Sequence, residues 1–156
     1  MSTTKPKVAI LLGSKSDEVA MAGCCQYLSK FGIAYDMKVS SAHRQPDETT
    51  DFVKNAEKNG YSLIIAAAGM AAHLPGVCAS HTTLPVIGVP LDGSALSGLD
   101  ALYSIVQMPA GVPVATVAVG AAGAMNAAVL AAEILALGNA AIKQKLVSFK
   151  KNGARF

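Results

Sequence analysis

Five short, near-solid apolar runs, separated by segments of helical pattern, constrain this chain more than anything else in its sequence. They are Lys7–Leu12, Ala34–Val39, Ser62–Ala67, Pro85–Val89 and Val114–Val119. Runs of this length between helices read as parallel strands buried on both faces. The first helix is expected to open at Gly13–Asp17 and run to about Phe31, where Gly32 stops it. The second starts at Pro46, which suits a first helical turn, and ends near Asn59 before Gly60. Further helices are expected after Gly76 through about Thr82, over Leu99–Val106, over Ala121–Leu137, and over about residues 139–152. Alternation of this kind packs as an α/β/α sandwich of three layers around one doubly wound, flavodoxin-like parallel sheet. The 156 residues make a single domain, 1–156, with no repeat or linker. A chain of that size buries about 70% of its unfolded surface.

The topology directs attention to three loops. In a sheet ordered 2-1-3-4-5, the turns after strands one, two and three share the carboxyl edge, and ligands bind in the crevice there. Those turns are Gly13–Asp17, Ser40–Pro46 and Ala68–Gly76. The middle one concentrates chemistry. It sets His43 beside Arg44, one of only two arginines in the chain (the other is Arg155), with Ser40 and Ser41 just before. A planar, bidentate donor next to a group that titrates near neutrality can hold an anion and move a proton. A structural account stands beside the functional one. Ser14 and Asp17 have the spacing of a capping box, and His43 can equally cap the helix that follows. Hydroxyls and free amides at a helix start also accept phosphate.

Other chemistries lack their signatures. His43, His73 and His81 have no carboxylate or cysteine at ligand spacing, so no metal site is expected, and His81 reads as a hydrogen-bonded structural residue. There is no G-x-S-x-G elbow, no phosphate-binding loop of the G-x-x-x-x-G-K type and no G-x-G-x-x-G fingerprint. Cys24, Cys25 and Cys78 form no C-x-x-C pair and read as small buried residues of a reducing compartment. With no secretory pattern at its start, the protein is expected in the cytoplasm. A net charge of +3 gathered in the last residues, with no Trp, argues against nucleic acid as a partner. Asn59–Leu91 and Ala101–Ala132 lack Asp, Glu, Lys and Arg, but polar residues, prolines and glycines break the second, so it is not a membrane span. Uncharged stretches this long suggest coverage by other subunits, hence a homo-oligomer.

One imidazole, one guanidinium, serine hydroxyls, Asp17 and two helix N-termini can bind a small phosphorylated molecule and shuttle one proton. The residues themselves carry the reading no further. The three loops, with G-V-P at Gly88–Pro90 and the long run from Ser97 to Gly120, resemble the class I N5-carboxyaminoimidazole ribonucleotide mutases of purine biosynthesis. The resemblance covers nearly the whole chain. One departure is Met70, where that family more commonly has glycine, and a side chain there is expected to narrow the pocket or shift its loop.

The resemblance implies an isomerase that moves a carboxylate from N5 to ring carbon C4 of a ribonucleotide, with no ATP, metal or organic cofactor. It implies His43 as general acid and base, and Ser14, Ser16, Asp17, Ser41 and Arg44 as binders of the ribose phosphate. It places Gly69, Met70, Ala71, His73 and Leu74 around the migrating carboxylate. Neutral CO2 needs a small, closed, largely apolar cavity, which Ala71, Ala72 and Leu74 are expected to line. The same likeness implies an octamer, with the helix at about 139–152 packing on neighbouring subunits. Two alternatives stay open: the class II carboxylases, which use CO2 directly on aminoimidazole ribonucleotide, and a non-catalytic nucleotide-binding module.

Overall fold

The structure, a computed structural model, describes residues 5–156. Strand β1 (Lys7–Leu12) lies inside the sheet, and its residues from Val8 onward are all buried. Alternate side chains of β1 enter two different cores, as the period of two in a strand requires. Val8, Ile10 and Leu12 meet α1 (Ala22–Phe31), α5 (Gly120–Ala136) and α6 (Ala140–Lys151) on one face. Ala9 and Leu11 meet α2 (Pro46–Asn55), α3 (Leu74–His81) and α4 (Leu99–Val106) on the other. The remaining strands are β2 (Ala34–Val39), β3 (Tyr61–Ala68), β4 (Val86–Pro90) and β5 (Ala115–Thr116). All pairings are parallel and the order is β2-β1-β3-β4-β5, the doubly wound sheet expected from the sequence.

Four local features differ from the sequence reading. The helix expected from Gly13–Asp17 is two elements, a 3-10 helix over Lys15–Glu18 and α1 from Ala22. The capping box of Ser14 and Asp17 starts the tighter helix, which ends at Glu18, and a turn leads through fully buried Met21, the N-cap residue of α1. β2 is an edge strand with exposed Asp36 and a half-buried Lys38, not a solid apolar run. Asp36 pairs with Lys7 and accepts from the Tyr61 hydroxyl, and such charges guard a sheet edge. α2 stops at Asn55 and a turn carries the chain to Gly60, whose φ of +85° suits glycine. β5 pairs over only two residues, Ala115 and Thr116, and the Val117 amide adds one further bond to the Gly88 carbonyl.

α5 packs its small residues Gly123, Ala124, Ala127, Ala128 and Ala131 inward, whereas between residues 102 and 119 of the same uncharged stretch only Ile105 is buried. Gly123 is tightest: a Cβ there would stand 1.6 Å from the Ala118 carbonyl oxygen. α6, capped by Asn139, buries Ile142, Leu146 and Phe149 on the same core. The Phe149 ring meets Tyr27 and Phe31 edge-on. Large apolar side chains remain exposed on and before α4, at Leu96, Leu99, Tyr103 and Val106. Among the described residues no helix is long and apolar enough to cross a membrane.

Candidate active site

At the carboxyl edge of the sheet the loops enclose a cavity of about 880 Å³. Its position follows from the topology, since β1 and β3 are neighbours whose chains leave toward opposite faces. The first loop contributes Ser14, Ser16 and Asp17, the second Ser41, His43 and Arg44, and the third Gly69, Met70, Ala71, His73 and Leu74. All eleven residues singled out in the sequence therefore stand around one space. Ala72 does not. It is fully buried in the core beneath α3.

The first loop holds itself rigid. The Ser14 amide donates to the Asp17 carboxylate at 2.9 Å, and the Ser16 amide donates to Ser14 Oγ at 3.4 Å. Ser14 and Ser16 also join through their hydroxyls at 2.9 Å. Capping and ligand binding are thus compatible here, because each hydroxyl and the carboxylate keep further lone pairs. Partial burial raises the Asp17 carboxyl above its usual range, and hydrogen bonds from the Ser14 amide and the Ser16 hydroxyl offset part of that rise.

In the second loop Ser40 and Ser41 divide the work. Ser40 is fully buried and bonds Thr49 Oγ1 in α2 at 2.8 Å, so its role is structural. Ser41 accepts from the Arg44 amide at 3.2 Å, which folds the loop into a turn and leaves the Arg44 side chain exposed at the cavity. His43 is exposed too, and its Nε2 lies 2.8 Å from Nδ1 of His73. The two rings meet edge to face at 4.9 Å and 82°. Such a contact requires one nitrogen to donate and the other to accept, so the pair shares a hydrogen and offers proton sites on two rings. His81, by contrast, ends α3 half-buried, with Nδ1 bonded to Ser80 Oγ at 2.8 Å. It is hydrogen-bonded as expected, but at the helix end and not in the core.

Sequence reasoning missed a fourth loop. Leu91, Asp92 and Gly93 after β4, and Ala121 at the start of α5, also line the cavity. The signal was present, since Asp92-Gly93 follows a parallel strand on the same edge as the other three turns.

No cysteine competes for the chemistry. All three are free, and burial pushes the Cys78 thiol up to about 12 and raises Cys24 and Cys25 as well. Among the described residues no three His, Cys, Asp or Glu side chains come together in a way that could hold a metal ion.

Residues 7–155 match the family model described as AIR carboxylase. The chain is 52% identical to the N5-carboxyaminoimidazole ribonucleotide mutase of Haemophilus influenzae, over 94% of this chain and 89% of that protein. It is 50% identical to the protein of the same name from Pyrococcus horikoshii, over 99% of this chain and 86% of that one. The crystal structure of Treponema denticola PurE superposes with a TM-score of 0.87 at 31% identity, covering 96% of this chain and 92% of that chain. With the doubly wound sheet, the cavity at its rim and a match spanning nearly every described residue, this chain belongs to the AIR carboxylase family.

Proposed function

We propose that this chain is an N5-carboxyaminoimidazole ribonucleotide mutase, an ATP-independent isomerase of purine biosynthesis that works in the cytoplasm as a homo-octamer. The observation that carries the reading is the meeting of His43, Arg44 and Asp17 in one cavity, in a chain half identical to proteins of that name. Arg44 takes the substrate phosphate with its planar fork of donors. Asp17 accepts from the ribose hydroxyls, and Ser14, Ser16 and Ser41 add short polar contacts. The base then lies toward His43 and the third loop.

The chemistry needs one proton at two atoms. His43 gives a proton to N5 as the N5–carbon bond breaks and its electron pair stays on nitrogen, releasing CO2. C4 attacks that CO2 and forms the new carbon–carbon bond. His43, now short of a proton, takes the one on C4 and is restored. Acid–base assistance of this kind contributes about 10²–10⁴-fold. Gly69, Met70, Ala71, His73 and Leu74 surround the migrating group, with His73 bonded to the His43 ring. No step calls for a metal or an organic cofactor.

A second reading has one observation in its favour, because the family model is described by the carboxylase and not by the mutase. Steady-state assays separate the two. The expected result is turnover of the N5-carboxy compound at a rate that added bicarbonate does not change. Turnover of aminoimidazole ribonucleotide with bicarbonate, and none of the N5-carboxy compound, would make the chain a carboxylase.

The octamer draws support from the exposed apolar side chains of α4 and from Val147 on the outer side of α6. This is also where α6 would meet neighbouring subunits. Analytical ultracentrifugation should find one large species, and a monomer at micromolar concentration would rule the assembly out.

A further inference from the structure

Met70 is the one cavity residue whose backbone the chain holds against its own preference. Its φ is +56°, in the left-handed region that side chains other than glycine rarely adopt. Ser97 and Ala154 are the other non-glycine residues with positive φ among those described, and neither lines the cavity. Glycine would adopt the same backbone without strain, so the conformation alone gives no reason for a side chain at this point. The Met70 side chain is 65% exposed, among the most exposed large apolar groups of the chain, yet it lies on the cavity wall. Strain kept at the edge of a ligand cavity is a reason to look for a function.

We propose that Met70 is a retention residue, an apolar flap that settles over the bound nucleotide and keeps released CO2 from escaping. This rests on the mutase reading above. CO2 has no charge for Arg44 or Asp17 to hold, so it stays only if the wall is closed. Three rotatable bonds and a soft thioether let methionine follow the outline of whatever fills the cavity. Ala71 and Leu74, next to it on the same wall, extend the apolar surface.

The test follows the carbon atom. The N5-carboxy substrate, carrying 13C in its carboxylate, is turned over by excess enzyme in unlabelled bicarbonate with carbonic anhydrase present. Mass spectrometry then reads the 13C kept in the C4-carboxyl product. Wild-type enzyme should keep most of the label. Met70→Gly should lose about threefold more or worse, because an open site lets a reactive intermediate leak. Met70→Leu restores an apolar side chain and should keep label close to wild type. Met70→Gly should melt no lower than wild type, which separates leakage from unfolding. Label retention equal to wild type in Met70→Gly overturns the proposal alone, as does a wild-type enzyme that turns over with full washout. A wild-type enzyme that does not turn over the compound at all overturns the mutase reading itself.

Discussion

His43→Asn lowers turnover by about 100-fold or more while ligand affinity stays within a few-fold. Asparagine is close to histidine in reach and keeps both a donor and an acceptor, so it can still bond His73 and fill its place on the wall. What it loses is the ability to take up and release a proton. The loss therefore falls on kcat and leaves KM nearly untouched, the pattern of an interaction made only on the way to the transition state. Arg44→Ala gives the complementary result. It weakens apparent affinity for the phosphorylated ligand by about 10-fold or more, since charge-assisted bonds contribute roughly 1.5–3 kcal/mol. Near-normal turnover in His43→Asn would remove that residue from the mechanism, and unchanged affinity in Arg44→Ala would remove the phosphate from its side chain.

Gly123→Ala destabilises the fold by about 3 kcal/mol or more, although alanine is the better helix former. Two effects oppose each other. Helix propensity favours alanine over glycine by about 1 kcal/mol. Against it, the new Cβ would stand 1.6 Å from the Ala118 carbonyl oxygen and 2.6 Å from its carbonyl carbon, and neither can rotate away as a side chain does. Overlap with backbone wins, and the start of α5 must move outward. Calorimetry should show the melting temperature fall by roughly 6–12 °C for a chain of this size. Gly138→Ala is the control. Nothing lies within 4 Å of that Cβ, so stability should change by no more than about 0.5 kcal/mol. A Gly123→Ala protein that melts with wild type would mean the approach to Ala118 is looser than it stands here. Because Ala121 also touches the cavity, the same displacement should disturb binding.

The alternation of apolar runs was enough to read a doubly wound parallel sheet, because solid runs such as Val8–Leu12 and Leu63–Ala68 have few environments to occupy, and the flavodoxin-like order taken for it is the one the sheet has. Once the order is fixed, the meeting of three loops follows, and the resemblance then picked out eleven of their residues, all of which line the cavity. What escaped depended on distance or on competition. The contact of His43 with His73 joins residues 30 apart, and no local pattern encodes it. The break before α1 turned on the Ser14 and Asp17 side chains bonding the backbone locally, which a spacing rule reads equally well as the start of a longer helix. The fate of Ala72 needed the path of the third loop, since alanine suits either a core or a cavity wall. Asp92 was overlooked for want of carrying the rim rule one strand further.

Ser40 bonds Thr49 with no water between them, directly beneath the segment that carries His43. That bond ties the chain leaving β2 to α2, so both feet of the loop are pinned together like those of an arch. The Ser41–Arg44 turn and the His43–His73 contact brace its crown. A guest therefore meets a surface already held in shape.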